Sequence, residues 1–253
     1  MKKKELIIIG ILTIILAFMD ISGIPMALFV NINILDINPI YFALMANFIV
    51  IGIIAFLVLK YLCPNLKIGF TKENFKIGFK KYALPGFIVG IISCIAFIIG
   101  LDFDGNPTIW KVLIEGIIYY IGVAIVEELY VRGLLLNLIE KLYYKKENNT
   151  MIAITLSSVI FGLGHIFGVI GQPILIIITK VIWTIAMGMY FGAIYKKTNN
   201  LWLPIILHFI INVCALPYCF TTMTTYPSIS LYIILPTYIL LGIYSVFILK
   251  REQ

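Results

Sequence analysis

Charge is scarce in this chain. Only 12% of the 253 residues are charged and 62% are hydrophobic, for a mean hydropathy of +1.06. Soluble domains carry about 25% charged residues. A water-soluble fold is thereby excluded, and an all-α polytopic membrane protein is expected. Several chemical signatures are missing too. The four cysteines, Cys63, Cys94, Cys214 and Cys219, form no CxxC and no metal-ligand spacing. They read as small apolar residues, Cys63 on the cytosolic side and Cys94 inside a span, with a Cys214–Cys219 bridge as the one covalent alternative. There is no HExxH. The absence of a Gly-x-Ser-x-Gly elbow, and of a cysteine beside a histidine, argues against serine or cysteine nucleophiles. No internal repeat or linker divides the chain, so residues 1–253 are expected to form a single transmembrane domain.

Runs of about 20 apolar residues are long enough to span a bilayer. They fall at roughly 5–29, 40–60, 82–101, 110–131, 150–170, 173–195, 201–219 and 229–249, about eight helices. Lys2 to Lys4, Lys60 to Lys81, Lys141 to Lys146, Lys196 with Lys197, and Lys250 with Arg251 occupy every second connection. The others hold Asp36, or Asp102 and Asp104, or no charge. The positive-inside rule then sets both termini in the cytosol. The net charge of +7 is an orientation signal, and no nucleic-acid partner is expected. Lys2-Lys3-Lys4 followed by Leu6 to Met19 resembles a signal peptide, but without a small-residue cleavage site it reads as the first span. Asn65 to Lys81 is too polar to span. It reads as an interfacial helix with its basic face outward, a plain loop being the alternative. The stretch from Gly133 to Tyr144 continues the fourth span as helix, projecting or bending at Gly133.

Inside that fourth span lie Glu127, Glu128 and Arg132. Each charge at a membrane helix centre costs about 2.5–3.5 kcal/mol on insertion scales, and such residues normally face a bundle interior or a cavity. Glu128 and Arg132 are four apart and can pair on one helix face, while Glu127 points about 100° away. The chain has only two histidines, His165 and His208, and both fall within expected spans. His165 closes Phe161-Gly162-Leu163-Gly164-His165, whose glycines allow close helix approach. His208 and Asn212 share a face four residues apart. A polar site between the fourth, fifth and seventh spans follows.

A carboxylate and an imidazole can activate a water, and a second imidazole with an amide can donate to an oxyanion. Alternatively, Glu127, His165 and His208 are candidate zinc ligands around an open fourth position. Two other readings compete: a proton-coupled transporter, which the lone Lys180 of the sixth span would suit, and a structural polar cluster joining helices.

Glu-Glu-x-x-x-Arg (Glu127, Glu128, Arg132), Phe-x-x-x-His (Phe161, His165) and His-x-x-x-Asn (His208, Asn212) occur in that order within residues 110–219. This pattern resembles the CPBP (CAAX protease and bacteriocin-processing, or Abi) family, which includes the type II CAAX prenyl endopeptidases. The resemblance implies an intramembrane protease with a cytosol-open site. Glu127 and His165 would activate the water, His208 and Asn212 would hold the oxyanion, and Glu128 with Arg132 would support them. The family label of metalloprotease implies zinc, although a metal-free glutamate mechanism is also argued for it. Substrates would be membrane-associated or lipidated peptides or proteins. The abundance of Ile, Lys and Asn suggests the cell membrane of a prokaryote and a peptide pheromone, bacteriocin or membrane protein as substrate. A non-catalytic immunity or scaffold role is the alternative within the family.

Overall fold

The computed structural model describes residues 2–22, 38–100, 109–217 and 228–250. These residues are almost wholly helical. In order they form α1 (Lys3–Ser22), α2 (Pro39–Leu62), α3 (Phe75–Gly100), α4 (Ile109–Glu128), a π-helical stretch (Leu129–Leu136), α5 (Asn137–Leu142), α6 (Asn149–Gly164), α7 (Ile174–Thr198), α8 (Trp202–Cys214) and α9 (Ser228–Lys250). Among the described residues no strand occurs, as expected where backbone polar groups must be satisfied within each segment. Isoleucines such as Ile14, Ile53, Ile88, Ile99 and Ile243 project outward, about half exposed or more. In lipid that surface is the solvent-facing one.

Six helices are long and apolar enough to cross a membrane: Pro39–Leu62, Phe75–Gly100, Ile109–Leu142, Asn149–Val169, Ile174–Thr198 and Ile229–Lys250. The expected count of eight rests additionally on α1 and α8. The 13 residues of α8 rise only about 20 Å, less than the ~30 Å hydrocarbon core. The remainder of the run expected at 201–219 passes beyond the described residues, as do the distal part of the first span and Cys219. Cys63 is buried at the C-terminal end of α2, where its thiol meets the Glu5 carbonyl.

The interfacial helix expected over Asn65–Lys81 is replaced by two different structures. Residues 63–74 form an irregular strap, and Phe75 onward is the beginning of α3. Tertiary hydrogen bonds win over local amphipathicity here. Gly69 accepts from the Leu201 amide at 2.8 Å. The Asn200 amide donates to the carbonyls of Thr71 and Glu73, and Asn74 donates to the Thr198 carbonyl. The strap thus locks the connection that carries the chain from α7 into α8. Gly69 needs its left-handed φ of +84°, and a Cβ there would meet the Asn199 carbonyl oxygen at 2.8 Å.

At the centre stands α7, half of whose spanning window is buried. It packs most extensively against α9 and α6. At Gly162, a Cβ would collide with Ile185 and come within 3.0 Å of the Val181 carbonyl, so this glycine does permit the close approach of α6 to α7. Gly164 has open space around it. Tyr190 of α7 enters the backbone ladder of α3 just after Pro85. Its hydroxyl accepts from the Gly86 amide and donates to the Tyr82 carbonyl, a side-chain insertion of the kind that bends helices.

The basic connections gather at one end of the bundle. Glu5 bonds Asn65, Lys196 bonds Glu140 at 2.6 Å, and Lys196, Lys197, Glu147 and Lys250 line one crevice. Gly171 also has positive φ, +89°, but nothing lies within 4 Å of its would-be Cβ. Thermal unfolding of the purified protein in detergent should therefore separate two variants. Gly171→Ala should cost about 1–2 kcal/mol for the left-handed backbone, and Gly69→Ala about 1–3 kcal/mol more for the collision with fixed backbone atoms.

Candidate active site

Glu127 and Glu128 close α4, and the chain passes from them into the π-helical stretch that holds Arg132. Such stretches insert a wider turn into an otherwise continuous helix and are frequent at functional sites. The helix runs on to Leu142, a 34-residue segment, so the helical continuation expected past Gly133 is present.

Glu128 and Arg132 are completely buried, at 0% and 1% exposure. Arg132 Nη1 donates to Glu128 Oε1 at 2.8 Å. The rest of the guanidinium is held by the Gly188 carbonyl of α7 at 3.4 Å. It also lies over the rings of Phe161 and Phe191, 4.8 Å and 5.4 Å from their centroids, contacts that favour a planar cation. The same Glu128 oxygen also accepts from His208 Nδ1 at 2.7 Å. A carboxylate of an ion pair only accepts, so Nδ1 carries the proton. His208 Nε2 then faces Glu127 Oε2 at 3.5 Å, an oxygen that is buried without a hydrogen-bond partner.

His165 is the residue on which α6 ends, where the chain leaves the helix through a tight turn. Regular α6 gives way there to a short 3-10 turn at Phe167–Val169, and the whole segment Asn149–Val169 matches the span expected at roughly 150–170. The His165 Nδ1 bonds the Phe161 carbonyl at 2.9 Å. A carbonyl only accepts, so here too Nδ1 donates and Nε2 is left with its lone pair. Phe161 packs edge-on against both imidazoles.

Glu127, His165, His208 and Asn212 line one cavity of about 410 Å³. Three separate segments bring them there: the end of α4, the end of α6 and the middle of α8. Glu128 and Arg132 lie behind this wall rather than in it. The cavity also exposes residues that were not among the expected site. Asp20 of α1 accepts from the Tyr130 hydroxyl at 3.1 Å, and both line the cavity with Tyr119, Lys180, Trp183 and Thr184. The signal for Asp20 was present, since an acid in an apolar run is a site candidate by default. For Thr184 and the tyrosines there was none, because hydroxyl residues are common in membrane helices.

The donor types at the site suit zinc: two Nε2 atoms, each fixed through a bonded Nδ1, and a carboxylate. Their spacing does not fit. Among the described residues no three His, Cys, Asp or Glu side chains come together closely enough to hold one ion.

A family model described as Rce1-like, type II CAAX prenyl endopeptidase Rce1-like, matches residues 109–214. The segment contains all seven motif residues, and the match supports the recognition of the chain as a CAAX-type protease of the CPBP family. A comparison with curated proteins finds no match.

Removal of the Arg132 guanidinium strands a buried carboxylate, which costs about 3–5 kcal/mol. Arg132→Ala should sharply lower the yield of monodisperse protein, and the double variant with Glu128→Gln should recover part of it. Equal losses in the single and double variants would mean that the two side chains are not coupled.

Proposed function

With the Rce1-like match over residues 109–214 as premise, we propose that the chain is an intramembrane endopeptidase in which Glu127 is the general base. The observation that carries this reading is Glu127, whose buried Oε2 has no hydrogen-bond partner and whose side chain lines a cavity together with two imidazoles whose Nδ1 atoms are already engaged. The fixed tautomer of His165 leaves Nε2 to accept a hydrogen bond from a water. Glu127 and His165 then orient that water and Glu127 takes its proton as the oxygen attacks the scissile carbonyl carbon. Negative charge develops on the carbonyl oxygen. Asn212 donates to it through its amide, and His208, held by Glu128 through Nδ1–H, donates from Nε2 when protonated. As the intermediate collapses, the C–N bond breaks and Glu127 returns the proton to the leaving amine. Glu128 and Arg132 keep His208 in place and do not touch substrate. The substrates are membrane-associated or lipidated peptides. Both termini face the cytosol, a reading supported by the basic connections gathered at one end of the bundle.

Lys180 keeps a proton-coupled transporter in view as the second reading, because a cation inside a span is a common feature of ion pathways. Proteolysis and transport separate in one comparison. Proteomics of membrane peptides with wild type and Glu127→Gln should show peptides processed only in the former, while the variant protein folds normally. Identical peptide profiles would end the protease reading.

Purified wild type should keep its activity after exhaustive chelation. Activity abolished by a chelator and restored by stoichiometric zinc would replace Glu127-only activation of water with a metal-assisted one. Asn212→Ala should lower the rate by about 10²–10³, the usual cost of one oxyanion donor. For topology, cysteine labelling at positions 146 and 104 should succeed from opposite sides of the membrane. Labelling of both from the same side would overturn the orientation.

A further inference from the structure

The basic crevice at the end of the bundle has no task in the chemistry above. It forms where three elements meet: the start of α6, with Thr150 and Met151, the last turn of α7, with Lys196 and Lys197, and the end of α9, with Leu249 and Lys250. Both α6 and α9 pack on α7, so their ends flank its own. The crevice has a volume of about 570 Å³. Its three lysines face a single carboxylate on the wall, Glu147.

Two of the lining residues are held in advance. Glu140 of α5 accepts from the Thr150 hydroxyl through Oε1 at 2.7 Å and from the Lys196 ammonium through Oε2 at 2.6 Å. Lys196 also reaches Asn137 Oδ1 at 3.4 Å. An ammonium has three N–H donors, so one is left for a further acceptor. With Lys196 balanced by Glu140, Lys197 and Lys250 still outnumber Glu147, and the crevice keeps a positive surplus suited to an anion. Lysine binds phosphate as a point charge.

The surroundings say what kind of anion. Met151 and Leu249 add apolar surface to the crevice itself. Beyond them α6 exposes Leu156 and Ile160, and α9 exposes Ile243 and Phe247, all within about 14 Å of the crevice along the helix axes. In a bilayer these side chains meet acyl chains. A free phosphate is a few waters in size, at about 30 Å³ each. It would leave most of the crevice unfilled and touch none of that apolar surface. Basic pockets between helices where a bundle leaves the bilayer suit phospholipid headgroups.

We propose that this crevice binds the headgroup of an anionic phospholipid from the surrounding leaflet. The phosphate lies against Lys197 and Lys250 beside the fixed Lys196, and the acyl chains run along α6 and α9. A lipid bound there bridges the start of α6 to the ends of α7 and α9. Such binding is independent of the protease reading, and no peptide substrate is needed to measure it.

The full-length protein is stripped of lipid in an uncharged detergent and mixed with equal amounts of phosphatidylglycerol and phosphatidylcholine carrying the same acyl chains. Native mass spectrometry then counts the lipids retained. Phosphatidylglycerol should be retained about tenfold or more over phosphatidylcholine. Lys250→Gln should lower that ratio about fivefold, the usual worth of one lysine at an anionic lipid surface. Adding Lys197→Gln should bring it close to one. Lys60→Gln with Lys67→Gln removes the same charge from another basic connection and should leave it unchanged. Lys250 is exposed at a helix end, so the single variant decides the case if the double variant does not fold.

Equal retention of the two lipids, or of neither, overturns the site. So does an equal loss in the Lys60 and Lys67 variant, which would mean a diffuse positive field in place of a crevice. Inorganic phosphate and glycerol phosphate are added as competitors at the same molarity as the lipid. Either one displacing phosphatidylglycerol would assign the crevice to a soluble phosphate and overturn the lipid.

Discussion

Glu128 Oε1 accepts two hydrogen bonds at once, from Arg132 on its own helical segment and from His208 on α8. Through Arg132 the same oxygen is tied to the Gly188 carbonyl of α7 and to the rings of Phe161 and Phe191. One carboxylate therefore fixes the mutual positions of α4, α6, α7 and α8. Its energetic weight comes from burial. Bringing two charges out of water is expensive and a good pair only offsets that cost, but removal of either partner leaves the other charged and unscreened. An arrangement of this kind contributes little net stability and strongly penalises every alternative packing. That is what a cavity assembled from three separate segments requires.

The adjacent glutamates divide their work because consecutive helical residues diverge by about 100°. Glu128 turns inward to the guanidinium and sets the tautomer of His208. Glu127, one residue earlier, meets His208 from its other side, and its buried Oε2 has no hydrogen-bond partner. His165 obtains its orientation differently, from the Phe161 carbonyl one turn back, and it can face the cavity because α6 ends there instead of running on. Both imidazoles thus present Nε2 to the same space, each held from behind by a bond that costs the cavity nothing.

Around this centre the bundle is braced by backbone contacts more than by side-chain shape. The Tyr190 hydroxyl occupies a gap in the α3 ladder near Pro85, and the strap from Cys63 to Asn74 is stitched to the α7–α8 connection by Asn74, Asn200 and the Gly69 carbonyl. These bonds hold the start of α8, and with it His208 two turns further on. The 13-residue α8 is short, so its register depends strongly on this connection.

By itself the sequence determined the helical membrane class, six long spans of the eight it suggested, the pairing of Glu128 with Arg132 and the polar residues proposed for the site. Each of these follows from local periodicity, from the cost of charge in an apolar run, or from motif order. The family match over residues 109–214 agrees with that last signal. Tertiary structure alone decided the rest. It ended α6 at His165 and α8 at Cys214, turned the expected interfacial helix into a strap, and set His208 between two glutamates. It also brought Asp20, Tyr130, Lys180 and Thr184 to one cavity. The reason is physical: hydropathy reports whether a segment belongs in lipid, but where it stops and which neighbour its polar atoms find depends on hydrogen bonds between residues up to 145 positions apart in the chain, and no local pattern encodes those.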